Sequence, residues 1–253
     1  MKVADKHLVM VTGGARGIGA DIVERVARRG YPVCFSYLSR DKEADALVAK
    51  LQDEGCAVLA VRSDVSQSED INRFFTQAQD KFGPLGGFVN NAGFVGQAGR
   101  QVANLDHDTL RRCFDVNAIG PIMCSQMALE RLSTDKGGPG GRIINVSSIA
   151  ARTGSPWDWV DYAASKGALN TFTVGFGKEV AKQGVQVIGV GPGGVATELH
   201  TQAGQPERLA RFCDITPIGR PAESWEIADV VVWTLLDAPD YLTATTIEVS
   251  GGL

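Results

Sequence analysis

The chain has 253 residues, 44% of them hydrophobic, and its 25 Lys and Arg against 29 Asp and Glu leave a net charge of −4. That balance argues against a basic surface for nucleic acid or anionic membrane, and no apolar run approaches the length needed to span a bilayer. The N-terminal "MKVADKHLVMVTGG" has no apolar run of signal-peptide length before glycine breaks it. The five cysteines form no C-x-x-C pair and the three histidines, His7, His107 and His200, lie far apart. Reduced thiols, no metal site and a soluble, cytoplasmic protein are the expectation.

Strand candidates alternate with helix candidates along the chain. "HLVMVT" (7–12), "PVCFSY" (32–37), "AVLAV" (57–61), "GFVN" (87–90), "RIINVS" (142–147) and "VQVIGV" (185–190) read as near-continuous apolar runs, the pattern of strands buried on both faces, and "TTIEV" (245–249) follows near the end. Between them, "GADIVERVARRG" places Ile22, Val23, Val26 and Ala27 on one helical stripe and ends in glycine. "SEDINRFFTQAQDKFG" opens on a serine suited to capping and also ends in glycine. Repeated βα units imply a parallel sheet with helices on both faces. No linker, composition break or repeat divides the chain, and one domain over 1–253 is expected; "DKGGPGGR" (135–142) reads as a surface turn.

The first strand runs into "TGGARGIGADIVERVA", where Gly13, Gly17 and Gly19 are spaced G-x-x-x-G-x-G between a strand and a helix. This is the context a dinucleotide needs: glycines let the backbone approach a pyrophosphate, and a helix N-terminus offers free N–H groups and partial positive charge. The acidic residue that binds the NAD ribose at the end of the second strand is absent, its place falling on or beside Tyr37. Arg16, Ser39 and Arg40 are nearby instead, and arginine is suited to phosphate. NADP(H) is therefore favoured over NAD(H), although Asp41 could neutralise Arg40.

"DYAASKGALN" holds Tyr162 and Lys166 four residues apart, on one face of a helix. By itself the pair is commonplace. It is preceded, however, by "TGGARGIG", by "GFVNNAG" (87–93) after the fourth strand and by "INVSS" (144–148) closing the fifth, and is followed by "VGPGGVATEL" (190–199). Together these resemble the short-chain dehydrogenase/reductase family, over essentially the whole chain. The resemblance implies a three-layer α/β Rossmann fold with a seven-stranded parallel sheet of order 3-2-1-4-5-6-7. It also implies catalytic roles. Tyr162 becomes the general acid/base, and Lys166 the residue that binds the nicotinamide ribose and lowers the tyrosine's proton affinity, as a nearby cation does for a phenol. Ser148 becomes the residue that orients the substrate oxygen, its neighbour Ser147 pointing to the opposite face. Asn117 in "FDVNAIG" becomes the anchor of a water in the proton path. Read from its residue type alone, Asn117 would be a helix-interior asparagine bonding its own backbone.

The cofactor candidates are Gly13, Arg16, Gly17, Ile18 and Gly19 at the glycine loop and Ser39 and Arg40 after the second strand, and the resemblance implies Asp64 with Val65 at the adenine. It adds Asn91 and Gly93 along the adenosine, Tyr162 and Lys166 at the nicotinamide ribose, and Val195 with Thr197 at the carboxamide. The alternative for Asp64 is a cap of the following helix, but Ser66 and Ser68 are better caps, which leaves Asp64 freer for the ligand. Three positions depart from the family pattern: Ile188 stands for an asparagine, Gly191 for a larger residue, with loosening of the loop carrying Val195 and Thr197 as the expected result, and Ala244 for the glycine of a "Y-[VI]-T-G" motif. The segment 198–217 is where the family often carries a lid, with Gly204 and Pro206 in mid-loop. Trp157 and Trp159 offer either a substrate surface or a packed wall or interface.

The expected activity is NADP(H)-dependent interconversion of a small-molecule carbonyl and a secondary alcohol. The alternatives are a non-catalytic dinucleotide-binding regulator, an isomerase or dehydratase on the same scaffold, and, as other substrates, 3-oxoacyl thioesters or sugars. The resemblance further implies a homotetramer held by long helices near 106–134 and 161–183, in which Phe172, Phe176 and Val180 fit either the interface or the core.

Overall fold

A computed structural model describes residues 6–97, 99–197 and 208–253, with side chains at the last segment from residue 210. The expected segment around Gly204 and Pro206 lies outside the described residues. Strands β1 (Leu8–Val11), β2 (Val33–Tyr37), β3 (Val58–Arg62), β4 (Leu85–Asn90), β5 (Gly141–Val146), β6 (Val185–Pro192) and β7 (Thr245–Val249) form one sheet of order β3-β2-β1-β4-β5-β6-β7. Every pairing is parallel, with Val9 beside Val33, Val11 beside Val89 and Val89 beside Ile144. Helices α1 (Gly17–Arg28), α2 (Asp41–Asp53), α3 (Ser68–Phe82), α4 (His107–Phe114), α5 (Gly120–Leu132), α6 (Ala150–Thr153), α7 (Val160–Val180), α8 (Arg208–Ile215) and α9 (Ser224–Val232) connect or follow the strands.

Strand periodicity decides which layer each residue joins. Val9 and Val11 of β1 face a core shared with Ile22 and Val26 of α1 and Ile227 of α9. Leu8 and Met10 face the other core, with Phe74 and Phe75 of α3, Leu132 of α5 and Val180 of α7. Each such fully buried side chain contributes about 1.5–3 kcal/mol relative to exposure. Phe176 and Val180 belong to this second core, and Phe172 stacks on Phe176.

Several expectations are corrected. The polar residues within the near-continuous apolar strands, Asn90, Asn145 and Arg142, are all buried, beyond what the apolar pattern alone indicates. Asn90 Nδ2 donates to Asn145 Oδ1 at 2.8 Å, and Asn145 Nδ2 to Thr173 Oγ1 of α7 at 2.8 Å, so these polar groups satisfy each other. Arg142 donates to the carbonyls of Thr234 and Ala238 and pairs with Asp240 at 3.0 Å, meeting the negative end of the last helical turns. The α3 cap is Gln67, without a side-chain cap bond, rather than a serine. Gly191 lies inside β6, opposite Glu248, not in a loop, and a Cβ there would meet only ordinary contacts, so the expected loosening has no basis. The long helix near 106–134 is α4 and α5 joined by a single π-helical turn, Asp115–Ile119.

Candidate active site

The C-terminal ends of β1, β2, β4, β5 and β6 open onto a cleft of about 1030 Å³. An open parallel sheet places its ligand crevice at this edge because the strand order reverses between neighbours β1 and β4. All of the expected site residues except Asn117 line this cleft.

At one end, the loop after β1 bends back through Gly13, at φ +66°, where a Cβ would stand 2.9 Å from the Ala92 Cα. A Cβ on Gly19 would stand 2.1 Å from the Gly13 carbonyl oxygen, so only glycine allows α1 to begin this close to the loop. Asn91 braces the turn: its amide donates to the carbonyls of Thr12 and Gly13 at 3.0 and 2.9 Å. The first turn of α1 has no side-chain cap bond and no acidic residue, so its N–H groups and positive end are open to an anion. This cradle fits a dinucleotide pyrophosphate; Gly17, Ile18 and Thr197 border the same space.

Beside it, Ser39, Arg40 and Arg16 surround the end of β2. Arg40 pairs with Glu43 at 2.8 Å. Asp41 serves Tyr37, whose phenol is pushed up by partial burial and by that carboxylate. Asp64 is not free, contrary to expectation. Its carboxylate accepts from Ser66 N at 2.9 Å and Ser66 Oγ at 2.8 Å and pairs with Arg112 at 3.0 Å. Burial opposes ionisation of Asp64, but the Ser66 and Arg112 bonds outweigh it and hold the carboxyl below its usual range. Arg112 thus joins this wall, a partner that nothing in the spacing of "RSDV" signals.

At the other end stand Ser148, Tyr162 and Lys166. Ser148 follows β5 and is half-buried, its Oγ accepting from Ala150 N at 3.1 Å, whereas Ser147 is buried behind it against the Lys166 carbonyl. Tyr162 and Lys166 are one turn apart on α7, with the Lys166 Nζ 5.8 Å from the centroid of the phenol ring. The ammonium is 3% exposed and donates to the Val146 carbonyl at 2.8 Å. Burial pushes its pKa down to about 8.

Asn117 is fully buried in the π-helical turn. It does not bond its own backbone. Its Oδ1 accepts from Phe94 N at 2.8 Å and its Nδ2 donates to Phe94 O at 2.7 Å and to Ser165 Oγ at 3.1 Å. Ser165 Oγ in turn donates to the Tyr162 carbonyl at 2.7 Å. One asparagine therefore ties the loop after β4 to the turn that carries Tyr162.

A second tie, absent from the sequence reading, is Arg100. It pairs with Asp161 at 2.6 Å, both side chains nearly buried, and donates to the Val95 carbonyl at 2.7 Å. Asp161 directly precedes Tyr162, and its position in the first turn of α7 suits the helix dipole. Trp159 is buried and packs edge-on to Tyr162, while Trp157 is 75% exposed at the cleft mouth. On the far wall, the segment of Val195 is pinned by Ala196 N to Ala222 O at 2.7 Å, and Phe212 of α8 packs over Gly194. Among the described residues no cluster of His, Cys, Asp and Glu could hold a metal ion, and no helix is long and apolar enough to cross a membrane.

A family model described as short chain dehydrogenase matches residues 7–208. The chain is 37% identical to the uncharacterized oxidoreductase YgfF of Escherichia coli K12, over 97% of this chain and 99% of that one. It is 29% identical to a 3-oxoacyl-[acyl-carrier-protein] reductase of Synechocystis, over 100% and 99%. Among solved structures, a blue fluorescent protein from a metagenomic library in complex with NADPH superposes with TM-score 0.87 at 30% identity, covering 97% of each chain. A short-chain dehydrogenase/reductase from Serratia marcescens gives 0.88 at 31% identity, again over 97% of each. With the sheet order and the cleft, these matches establish that the chain is an oxidoreductase of the short-chain dehydrogenase/reductase family.

Proposed function

We propose that the chain interconverts a carbonyl and a secondary alcohol with NADP(H), the cofactor cradle and the catalytic groups sharing one domain over 1–253. One observation carries this reading: a buried ammonium, Lys166, stands beside the Tyr162 ring in the same cleft as the open glycine-loop cradle. A bound nicotinamide dinucleotide supplies the hydride chemistry. The chain's own residues do the rest. Gly13, Gly17, Ile18 and Gly19 with the α1 N-terminus hold the pyrophosphate, Asp64, Val65, Asn91 and Gly93 border the adenosine, and Val195 and Thr197 hold the carboxamide end.

In reduction, Tyr162 Oη gives its proton to the substrate oxygen; in oxidation it takes that proton back. Ser148 Oγ holds the same oxygen. The Lys166 ammonium favours the phenolate, easing proton donation in reduction and keeping the base form populated nearer neutral pH in oxidation. Asn117 anchors the water of the proton path and, through Phe94 and Ser165, braces Tyr162 against the loop after β4.

The 2′-phosphate of NADP would meet Arg40, Arg16 and Ser39; position 37 is itself a tyrosine, whose hydroxyl engages the nearby Asp41 carboxylate. The NADPH bound to the metagenomic relative supports the same choice. Arg40 would leave Glu43 to do so, an exchange of one exposed anion for a doubly charged one. By family resemblance the protein acts as a cytoplasmic homotetramer, which light scattering of the purified chain checks.

The test is oxidation of NADPH and of NADH over a panel of activated ketones, comparing the wild type with Tyr162→Phe. Turnover preferring NADPH and lost in the variant is expected. Undiminished turnover in Tyr162→Phe would remove Tyr162 from the mechanism, and tight NADPH binding without turnover of any carbonyl would make the chain a dinucleotide sensor.

A further inference from the structure

We propose that Trp157 is the substrate platform of this cleft, and that the substrate is a neutral carbonyl compound carrying a flat aryl group. The inference rests on the oxidoreductase reading above and narrows its substrate class.

The two tryptophans of "SPWDW" occupy opposite environments. Trp159 is 4% exposed, packed between Val95 and Tyr162, and shapes the wall behind the phenol. Trp157, two residues earlier, is 75% exposed and borders the same cleft as Ser148 and Tyr162. Exposing an indole forfeits a large apolar burial, so its position needs a cause.

The backbone adds to the cost. Trp157 sits at φ +69° and Ser155 at φ +43°, a left-handed region that L side chains enter at a penalty. Such conformations persist only when neighbouring contacts enforce them. Here they do. Trp159 N donates back to Ser155 O at 3.1 Å, and Arg100 N donates to Asp158 O at 3.1 Å, fastening the residues on both sides of Trp157. Arg100 is itself fixed by Asp161. The loop is therefore clamped so that the indole stands at the mouth of the cleft and does not fold onto nearby apolar surface. Phe212 and the half-exposed Ile215 of α8 line the same cleft, giving an apolar slot that leads to Ser148 and Tyr162.

Charge selects against an anionic substrate. Besides the buried Lys166, which holds the Val146 carbonyl, two arginines near this end, Arg211 in the cleft lining and Arg152 on α6, each face a carboxylate of the chain: Arg211 pairs with Asp158 at 3.5 Å, and Arg152 with Glu248 at 2.9 Å. A substrate acid or phosphate would have to displace one of them. An aryl ketone or aldehyde needs neither, since its ring stacks on the indole and its oxygen reaches Ser148 and Tyr162.

The experiment uses the full chain with NADPH, an aryl methyl ketone, a short aliphatic ketone and an acetoacetyl thioester, with Trp157→Gly and Trp157→Phe as variants. Glycine removes the ring and accepts the left-handed backbone, so the variant should fold and melt higher by about 2–4 °C. KM for the aryl ketone should rise about tenfold in Trp157→Gly and stay near wild type in Trp157→Phe, with kcat unchanged and the aliphatic ketone unaffected. Quenching of tryptophan fluorescence by the corresponding aryl alcohol should weaken in parallel in Trp157→Gly. Equal KM rises for the two ketones, no rise for either, or a wild-type preference for the thioester over the aryl ketone would overturn the proposal. So would a change of oligomeric state in Trp157→Gly with KM unchanged, which would make the indole an interface between copies. If no carbonyl is turned over by any form, the oxidoreductase reading fails separately, and aryl-alcohol binding alone decides the platform: retained affinity in Trp157→Gly overturns it, lost affinity upholds it.

Discussion

The two ends of the cleft solve the same backbone problem differently. At the glycine loop the left-handed positions are Gly13 and Gly17, at φ +66° and +52°, and the turn is relaxed. In the loop before α7 the left-handed positions are Gly154, Ser155 and Trp157, two of them bearing side chains. The first end receives a ligand part common to a whole class of enzymes, and what it must offer is bare backbone close to a phosphate. The second must offer side chains, and it accepts strain to present them. If Trp157 is the substrate platform proposed above, strain marks the end of the cleft that sets specificity.

The largest expected effect tests whether chemistry belongs to the strained end. Tyr162→Phe keeps the ring and its packing on Trp159 but removes the proton, and kcat should fall by about 10²–10⁴ with NADPH affinity retained in a fluorescence titration. Next comes Lys166→Met. Burial lowers the Lys166 pKa to about 8, below that of an unfolded lysine, so the folded state disfavours the ammonium. That penalty is complete below pH 8 and disappears as the pH rises past the unfolded value near 10.5. Melting curves should therefore show wild-type stability rising between pH 8 and 10.5 relative to Lys166→Met. The variant should be the more stable at pH 7 by up to about 3 kcal/mol, less the loss of the bond to Val146. It should also be inactive.

Gly19→Ala probes the relaxed end. Its Cβ would meet the Gly13 carbonyl, and the forced shift should cost about 1–3 kcal/mol, read as weaker NADPH binding and a lower melting point. The smallest effect compares a strained site outside the cleft. Ala244 sits at φ +56°, where the family pattern has glycine, and its Cα is 2.9 Å from where a Cβ on Gly177 would be. Ala244→Gly should stabilise by about 1 kcal/mol in denaturant titration without changing kcat or KM. If it instead alters activity, strain away from the cleft is functional too and the contrast between the two ends loses its meaning.

Much of this was legible in the residues. Near-continuous apolar runs in "HLVMVT" or "VQVIGV" have few alternatives to a buried parallel strand, and the glycine spacing falls where a strand meets a helix. The sheet order came from the resemblance, since apolar patterning does not say which strands are neighbours. Arg142 inside β5 was illegible because its partners, the carbonyls of 234–238, are far along the chain. For the same reason Arg100 could not be matched with Asp161, sixty-one residues away, and Asp64 was read as available because Arg112 approaches it from another helix. The opposite fates of Trp157 and Trp159 were hidden because backbone φ, not residue type, separates them.

The π-helical turn at Asp115–Ile119 carries a consequence for how this chain tolerates change in length. A π-turn holds one residue more than an α-turn, so deleting a single residue there would restore a regular helix and leave α4 and α5 in their present phase. Cys113 before the turn and Cys124, Ala128 and Leu132 after it would keep their buried places. The loss falls on the turn itself: Asn117 would lose its reach to both backbone groups of Phe94. The extra residue thus adds one bracing asparagine to a helix without disturbing the core on either side. A one-residue deletion between 115 and 119 should leave the chain folded but loosen the loop after β4 and abolish turnover, whereas a one-residue insertion in the exposed 135–137 turn should be silent.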